Sequence, residues 1–280
     1  MDYGVSAPPA RHVIVHFHMF KNGGSTIETV LQREFRGRFA TAHGAHASSA
    51  LDDQDIAAFL AAHPTVAAFS SHHLRYPLPS IRHTVLFDCC FLRHPLDRLQ
   101  SIYTYLRAEP GRDEPIWVLA QSLGPREFMM RLIDESPHFV GNAQTLLMAT
   151  GGAFTRPLDE TDLLRAKEVL RRMALPGLVE MFDESLVAAE HFLRPAFPKM
   201  RLHYIPQNVT RPAGRNFEEL RSIWGADVYE ELVRLNRLDL ELCVYAKEEI
   251  QRRFLLVPNP EERLMDFRER CSGLRLQVAS

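Results

Sequence analysis

Continuous apolar runs alternate with amphipathic stretches in the first part of the chain. The runs at 12–18, 65–69 and 84–92 are rich in β-branched and aromatic residues and predict three strands. Between them, the segments 26–35 and 52–62 place apolar side chains at helical spacing and predict amphipathic helices. Strands that are apolar throughout belong to sheets covered on both faces. The alternation therefore predicts an α/β fold in which helices flank a parallel sheet.

The rest of the chain is predicted to be mostly helical. Pro95 opens a helix at its first position, where the missing N–H costs nothing. Asp183 stands where an N-cap residue is expected, and residues 226–253 have the period of one long amphipathic helix. The other predicted elements are helices at 126–134, 161–173, 184–193 and 217–223, short strands at 178–180 and 201–205, and loops at 41–50 and 206–214.

The pattern is typical of a single domain. An N-terminal extension at 1–11 precedes the first strand, the domain covers 12–257, and a charged, less regular tail covers 258–280. With 280 residues, of which 46% are apolar and 24% charged, the chain can bury one large core.

Charge and hydropathy exclude several classes of partner. The formal net charge of −2 gives no global positive field that would attract nucleic acid, so any anion site must be built locally. No stretch reaches the roughly 18 to 20 apolar residues that span a bilayer, and residues 1–11 lack the layout of a secretory signal. We therefore expect a cytoplasmic protein without membrane insertion. Its four cysteines lack metal-binding or redox spacing and are expected to be buried thiols, whereas its oligomeric state stays open.

A polar, glycine-containing loop joins the first predicted strand to the first helix, with the sequence HMFKNGGST at 18–26. Unpaired N–H groups and a partial positive charge at a helix start bind anions, and a lysine and two hydroxyls would add to that site. The lysine precedes the glycines, unlike in the ATP-binding pattern G-x-x-x-x-G-K-[ST]. An ordinary glycine turn is the alternative. The predicted anion contacts are Lys21, Asn22, Gly23, Gly24, Ser25 and Thr26.

A second segment, FLRHPLDRLQSIY, delivers an arginine to the end of an apolar strand. Arg93 can form forked, charge-assisted contacts with a phosphate, and Ser101 adds a hydroxyl from the following helix. Arg98 is three residues before Ser101 and either shares that helix face or pairs with a nearby acidic side chain on the surface.

Together the two segments resemble the membrane-type carbohydrate sulfotransferase superfamily. HMFKNGGST is similar to its phosphosulfate loop, H-x-P-K-x-G-G-[ST]-[ST], and FLRHPLDRLQSIY to its signature R-x-P-x-x-R-x-x-S-x-Y. Weaker similarity at 177–186 and 207–212 extends the resemblance over most of 13–253. Phe20 stands where the family has proline and Ser71 where it has glycine. Since no membrane anchor is seen, the chain looks like a soluble, bacterial-type member.

The resemblance implies a fold akin to P-loop nucleoside kinases and 3′-phosphoadenylyl sulfate (PAPS) as sulfuryl donor, with PAP as product. It implies that Arg93 and Ser101 bind the 3′-phosphate. The 5′-phosphosulfate contacts would be Lys21, Gly23, Gly24, Ser25 and Thr26. In-line transfer to a hydroxyl, by family analogy that of a carbohydrate or other hydroxylated small molecule, would follow.

Roles in that transfer can be assigned to a few residues. Lys21 is predicted to stabilise the leaving phosphate oxygen, since electrostatic stabilisation is usually the largest catalytic contribution. His72 is the candidate base because it directly follows a strand and matches the family's G-H-F position, with His73 as the alternative; an ordinary histidine pKa is ~6.5. His18, at the loop mouth, is interpreted as a structural histidine bonded to the loop backbone. Arg211 would meet a phosphate when its loop closes.

No tight carboxylate cluster suits Mg²⁺, so no metal is predicted. Three other interpretations compete with a sulfotransferase. A small-metabolite kinase would share the fold and the anion loop. A non-catalytic module would bind PAP without transfer, and a purely structural interaction protein would leave both motifs unexplained.

Overall fold

The structure is a computed structural model that describes residues 10–46, 49–205 and 217–279. Arg211 and the loop predicted at 206–214 lie outside these residues. Within them, five parallel strands form one sheet in the order β2-β3-β1-β4-β5, which confirms the predicted α/β fold with a parallel sheet flanked by helices. The strands are β1 (Arg11–Phe17), β2 (Phe39–Thr41), β3 (Ala68–Ser71), β4 (Thr84–Leu92) and β5 (Leu175–Leu178). The edge strand β2 was not predicted, and it includes the start of the loop expected at 41–50.

Helices fill the connections between the strands and form most of the second half of the chain. No helix within the described ranges is both long enough and apolar enough to cross a bilayer. The helices are α1 (Gly24–Phe35), α2 (Asp53–Ala62), α3 (Pro95–Ala108), α4 (Pro115–Ser122), α5 (Pro125–Glu135), α6 (Pro137–Val140), α7 (Ala143–Thr150), α8 (Glu160–Arg172), α9 (Phe182–Leu193), α10 (Phe217–Trp224), α11 (Ala226–Leu235), α12 (Arg237–Leu255) and α13 (Pro260–Ala279).

The central strand β1 aligns the ends of its neighbours. Its last residue, Phe17, lies opposite Ser71 of β3 and Cys90 of β4. Because parallel strands run in one direction, the segments that follow all three emerge at the same edge of the sheet. The glycine loop, His72 and Arg93 are therefore brought to one place by the strand register.

The apolar core consists of two layers against the sheet and a separate helical cluster. On one face, α8 and α12 pack against Val15 and Phe17 of β1. On the other face, α1, α9 and α13 pack against Ile14 and Phe91. The helices α3, α5, α10 and α11 form the third cluster around Trp224, next to the edge where the strands end.

The fifth strand lies earlier than predicted. The structure places it at Leu175–Leu178 instead of 178–180. Its sequence contains Pro176 and Gly177, two residues that disfavour strand interiors, and this hid it from the pattern. Glycine is needed at 177 because a β-carbon there would overlap the ring of Phe91.

The strand predicted at 201–205 is wrong. Its backbone is held by side chains instead of by a neighbouring strand: the Leu202 amide donates to Glu190 Oε1 at 2.6 Å and the Tyr204 amide to Cys271 Sγ at 3.3 Å. Residues 201–205, whose alternating apolar side chains predicted a strand, therefore form an irregular segment.

The single helix predicted at 226–253 is divided at Asn236, between α11 and α12. The Asn236 side chain donates to the carbonyl of Val140 at 2.8 Å and accepts from the amide of Asn142 at 3.2 Å. These contacts with the start of α7 come from tertiary structure, so the helical period of the sequence does not indicate the break.

Within the tail at 258–280, which was expected to be less regular, residues Pro260–Ala279 form the helix α13. Its buried residues Leu264 and Phe267 pack against the same core layer as α9. Asp183 is not the N-cap of α9, because that helix begins at Phe182. The Asp183 carboxylate instead accepts from Arg268 Nε of α13 at 2.9 Å.

Candidate functional site

The loop between β1 and α1 has the backbone shape of an anion cradle. Lys21 and Gly23 both adopt left-handed conformations, with φ of 64° and 75°. Gly23 is the N-cap of α1, so that residue offers no side chain to occupy the helix amides. The loop therefore turns the start of α1 towards the sheet edge, where its amides can bind an anion.

Two arginines and an asparagine fix this loop in place. Arg98 Nε donates to the carbonyl of Phe20 at 3.1 Å, and Arg93 Nη1 to the carbonyl of Lys21 at 3.2 Å. The side-chain Nδ2 of Asn22 donates to the carbonyl of Phe91 at 2.9 Å. Arg98 is buried and supports the loop. It therefore does not lie on the surface, where the alternative pairing with an acidic side chain was expected.

The buried carboxylate of Asp239 on α12 positions Gln144, which in turn bonds to two of the residues that fix the loop. Asp239 accepts from the amides of Gln144 and Thr145 at 3.0 and 2.7 Å, and from the Thr145 hydroxyl at 2.7 Å. Gln144 in turn accepts from the Arg93 amide at 2.9 Å and from the Asn22 side chain at 2.8 Å. Sequence analysis missed this network, because its members are far apart along the chain.

Replacing Asp239 with asparagine is expected to lower the free energy of unfolding by about 2–4 kcal/mol, because buried donors lose a charged acceptor. Urea unfolding followed by circular dichroism measures this change. Glu248→Gln, at an exposed position on the same helix, is the matched control and should change stability by less than about 0.5 kcal/mol. Equal stabilities of the two variants would contradict the role assigned to the network.

The ammonium group of Lys21 lies in a positively charged, partly desolvated environment. Its Nζ is 4.1 Å from the ring centroid of Tyr105. Burial and the charge of Arg93 lower the pKa of Lys21, and the carboxylate of Glu109 only partly opposes this. Two neighbouring cations with incomplete compensation favour binding of an anion.

The structure brings most of the predicted phosphate contacts together. Residues 21–26 and Arg93 share the sheet edge, with Ser25 exposed and Thr26 buried. Ser101 lies on the buried face of α3, the helix that also carries Arg98. The loop and the α3 helix therefore form two adjoining sides of one site.

A hydrogen-bonded cluster lies beside the loop, at the ends of β1 and β3. His18 Nδ1 is 2.8 Å from Glu28 Oε1, the same oxygen to which Ser70 donates at 2.7 Å. His16 Nδ1 is 2.8 Å from the Ser70 hydroxyl. The ring of His72 packs on that of His18, with centroids 3.9 Å apart. We call these residues (His16, His18, Glu28, Ser70 and His72) the histidine cluster.

The cluster combines one carboxylate with three imidazoles. Burial disfavours the Glu28 carboxylate, but hydrogen bonds from His18 and Ser70 outweigh it and lower its pKa to about 2. Burial lowers the pKa of His16 well below the ordinary value. His72 is exposed as a residue, yet loss of hydration where its ring meets His18, together with the proximity of that second imidazole, lowers its pKa to about 4. His72 is therefore neutral at pH 7.

The two candidate bases of the sequence have different surroundings. His73 is buried, and its Nδ1 accepts from the amide of Gly44. The ring of His73 is therefore bonded to the loop that follows β2. The ring of His72 packs on His18, which lies beside the glycine loop. His18 itself is bonded to the side chain of Glu28, where sequence analysis expected backbone contacts.

Gly24 is required by the position of His18. A β-carbon on Gly24 would overlap Cδ2 and Nε2 of His18. The imidazole edge opposite Glu28 therefore lies directly on the first residue of α1, inside the anion cradle. His18 belongs to the first motif but was interpreted as structural, and Glu28 is a functional candidate that sequence analysis missed. The only signal for Glu28 was a carboxylate one turn into an otherwise neutral helix start.

Metal binding is chemically conceivable in the histidine cluster. Donor atoms of His16, His18 and Glu28 lie within 4.8 Å of one another. The Nδ1 atoms of both histidines and Glu28 Oε1 already take part in hydrogen bonds, so an ion would have to replace these bonds. The residues fit a directional hydrogen-bonded chain that ends on a carboxylate better than a preformed metal site.

A cavity of about 730 Å³ opens next to Arg93 on the side of α12. Cys243, one of its lining residues, has Sγ 3.3 Å from the Arg93 carbonyl. Its size is in the range of small-molecule sites. The walls are mainly apolar, and their charged groups are three basic side chains (Arg234, Arg237 and Lys247) and two carboxylates (Glu180 and Glu241).

Comparison with known proteins gives relatedness but no activity. None of the known protein-family profiles matches the chain. It is similar to an uncharacterized protein of Archaeoglobus fulgidus, with 28% identity over 244 residues, which cover 83% of this chain and 94% of the archaeal one. The similarity therefore extends over most of both chains.

Proposed function

We propose that the protein is a PAPS-dependent sulfotransferase of the resembled superfamily. The observation that carries the proposal is the meeting of the two motifs at one sheet edge, where Arg93 Nη1 lies 3.2 Å from the Lys21 carbonyl. A donor with a 5′-phosphosulfate and a 3′-phosphate needs two adjoining anion contacts. The order of central strand, lysine-glycine loop and helix also favours a fold of the P-loop nucleoside-kinase type.

In the proposed reaction, the loop amides and Lys21 bind the phosphosulfate, and Arg93 and Ser101 bind the 3′-phosphate. A histidine takes the proton of the acceptor hydroxyl, and the resemblance designates His72, with His73 as the alternative. The acceptor oxygen then bonds to sulfur as the bond from sulfur to the phosphate oxygen breaks. Lys21 stabilises the negative charge that develops on this leaving oxygen.

The cavity beside Arg93 supplies space for the nucleoside or for the acceptor. Its apolar walls suit a flat ring, and its three basic groups, which outnumber its two carboxylates, suit an anionic substituent. We propose a hydroxylated acceptor, with a carbohydrate as the class implied by the resemblance, and a cytoplasmic location. No step of the proposed transfer needs a metal ion.

The test is transfer of labelled sulfate from PAPS to a panel of saccharides, phenols and hydroxylated lipids, together with calorimetric titration of PAP. We expect micromolar binding of PAP and transfer to at least one class of acceptor. Binding of PAP, without sulfate transfer and without hydrolysis of PAPS, would indicate a non-catalytic module. Turnover of ATP with Mg²⁺, and no binding of PAP, would indicate a kinase.

A further inference from the structure

The environment of His18 contains the parts of a general base. Its Nδ1 is fixed by an ionised carboxylate, since Glu28 Oε1 lies 2.8 Å away. The opposite edge of the ring, with Nε2, lies against Gly24 in the anion cradle. Only 10% of the His18 side chain is exposed, so the ring is fixed in a largely dry place. A carboxylate that orients an imidazole and stabilises its protonated form is the arrangement that activates a hydroxyl in other enzymes.

His72 lacks these features. Among residues 10–46, 49–205 and 217–279, no carboxylate forms a hydrogen bond with the ring of His72, which instead packs on His18. Burial and the neighbouring imidazole both disfavour its protonated form and hold its pKa at about 4. A base works best when its pKa is near the working pH. His72 is therefore better suited to holding the His18 ring than to accepting a proton.

We propose that His18 accepts the proton of the acceptor hydroxyl, that Glu28 positions and charges it for this role, and that His72 is a positioning residue stacked on it. This inference rests on the proposed sulfuryl transfer. The acceptor O–H gives its proton to Nε2 of His18, the oxygen bonds to sulfur, and the electron pair of the broken sulfur–oxygen bond stays on the phosphate of PAP. Glu28 remains ionised and stabilises the imidazolium.

The remaining members of the cluster keep Glu28 in its place. Ser70 donates to the same carboxylate oxygen as His18, and His16 lies within hydrogen-bond distance of the Ser70 hydroxyl. Ser70 is opposite His16 in the register of β1 and β3, so the sheet itself sets this geometry. The titratable groups that face His18 are His16 on β1, the strand that His18 follows, Glu28 on α1 and His72 after β3.

The experiment compares sulfate transfer by His18→Asn, His72→Asn and Glu28→Gln with that of the wild type, over pH 5–9. We expect His18→Asn to lower kcat by about 10²–10⁴-fold and His72→Asn by less than about tenfold. Glu28→Gln keeps a hydrogen-bond acceptor but loses the charge. It should lower kcat and move the acid limb of the kcat/KM profile to lower pH, because the imidazolium loses its counter-charge. The calorimetric affinity for PAP should stay within about threefold in all three variants.

A chemical rescue separates catalysis from structure. In His18→Ala, added imidazole should restore part of the lost kcat, and in His72→Ala it should have no effect. A larger loss in His72→Asn than in His18→Asn, rescue of His72→Ala alone, or a wild type that needs added Zn²⁺ would overturn the inference. If the wild type transfers no sulfate from PAPS, the proposed function fails; if it transfers and His18→Asn retains full activity, only the role of His18 fails.

Discussion

Replacement of Lys21 by alanine is expected to lower the turnover of PAPS by about 10²–10³-fold, as does removal of a single charge-stabilising group from other enzymes. The reason is the position of the ammonium in a loop whose own amides would bind the phosphosulfate in the proposed reaction. Its Nζ lies over Tyr105 and within reach of the charge of Arg93, so little water shields the charge it would neutralise. The measurement is kcat with labelled PAPS at a saturating acceptor concentration.

Charge and pH provide the controls for this variant. Lys199→Ala removes an exposed lysine far from the loop in sequence and should leave turnover unchanged. Because burial lowers the pKa of Lys21, its charged form is lost at a pH below the ordinary lysine range. Activity should therefore begin to fall at a lower alkaline pH than titration of an exposed lysine would cause. The residual turnover of Lys21→Ala should show no such fall. Turnover near that of the wild type would remove Lys21 from the mechanism.

Arg93→Ala is expected to weaken binding of PAP by about 10–100-fold, corresponding to the loss of a charge-assisted hydrogen-bond pair. The guanidinium lies next to the anion loop at the carboxyl end of β4, and its second task is to hold the Lys21 carbonyl. Calorimetry with PAP and with adenosine 5′-monophosphate separates the two tasks. Loss of the 3′-phosphate contact weakens only PAP, whereas loss of loop support weakens both nucleotides.

Two further variants sharpen the comparison. Arg93→Lys keeps the charge but not the fork, and it should recover part of the affinity for PAP. Arg82→Ala, at an exposed position before β4, serves as the control and should bind PAP as the wild type does. An Arg93→Ala protein with undiminished affinity for PAP would refute the assignment of this residue to the 3′-phosphate.

The local part of the fold could be predicted from the sequence. The sequence predicts the bounds of β4 at 84–92 because that run is apolar on both faces. It predicts β1 and α1 to within two residues because the hydrophobic period changes at the glycine loop. The loop residues and Arg93 were likewise designated by short motifs. Each of these signals lies within a dozen residues of chain, where side-chain pattern and backbone geometry determine each other.

The features that were missed depend on distant contacts. Asn22, Gln144 and Asp239 meet across 217 positions of sequence, and no local pattern marks a carboxylate on α12 as the support of a loop after β1. Glu28 looks like an ordinary surface residue of α1 until strand register places His18 and Ser70 against it. Similarly, β5 becomes visible only through its neighbour β4, whose Phe91 ring fits over Gly177.

Asp239 also affects the order in which the molecule acquires its properties during synthesis. The glycine loop is synthesised before the carboxylate that fixes Gln144, and through it Asn22 and Arg93, because Asp239 follows Asn22 by 217 positions. A nascent chain that ends before α12 therefore has every residue of the two motifs without the support that holds them together. The growing polypeptide gains an ordered candidate site only after α12 has been synthesised.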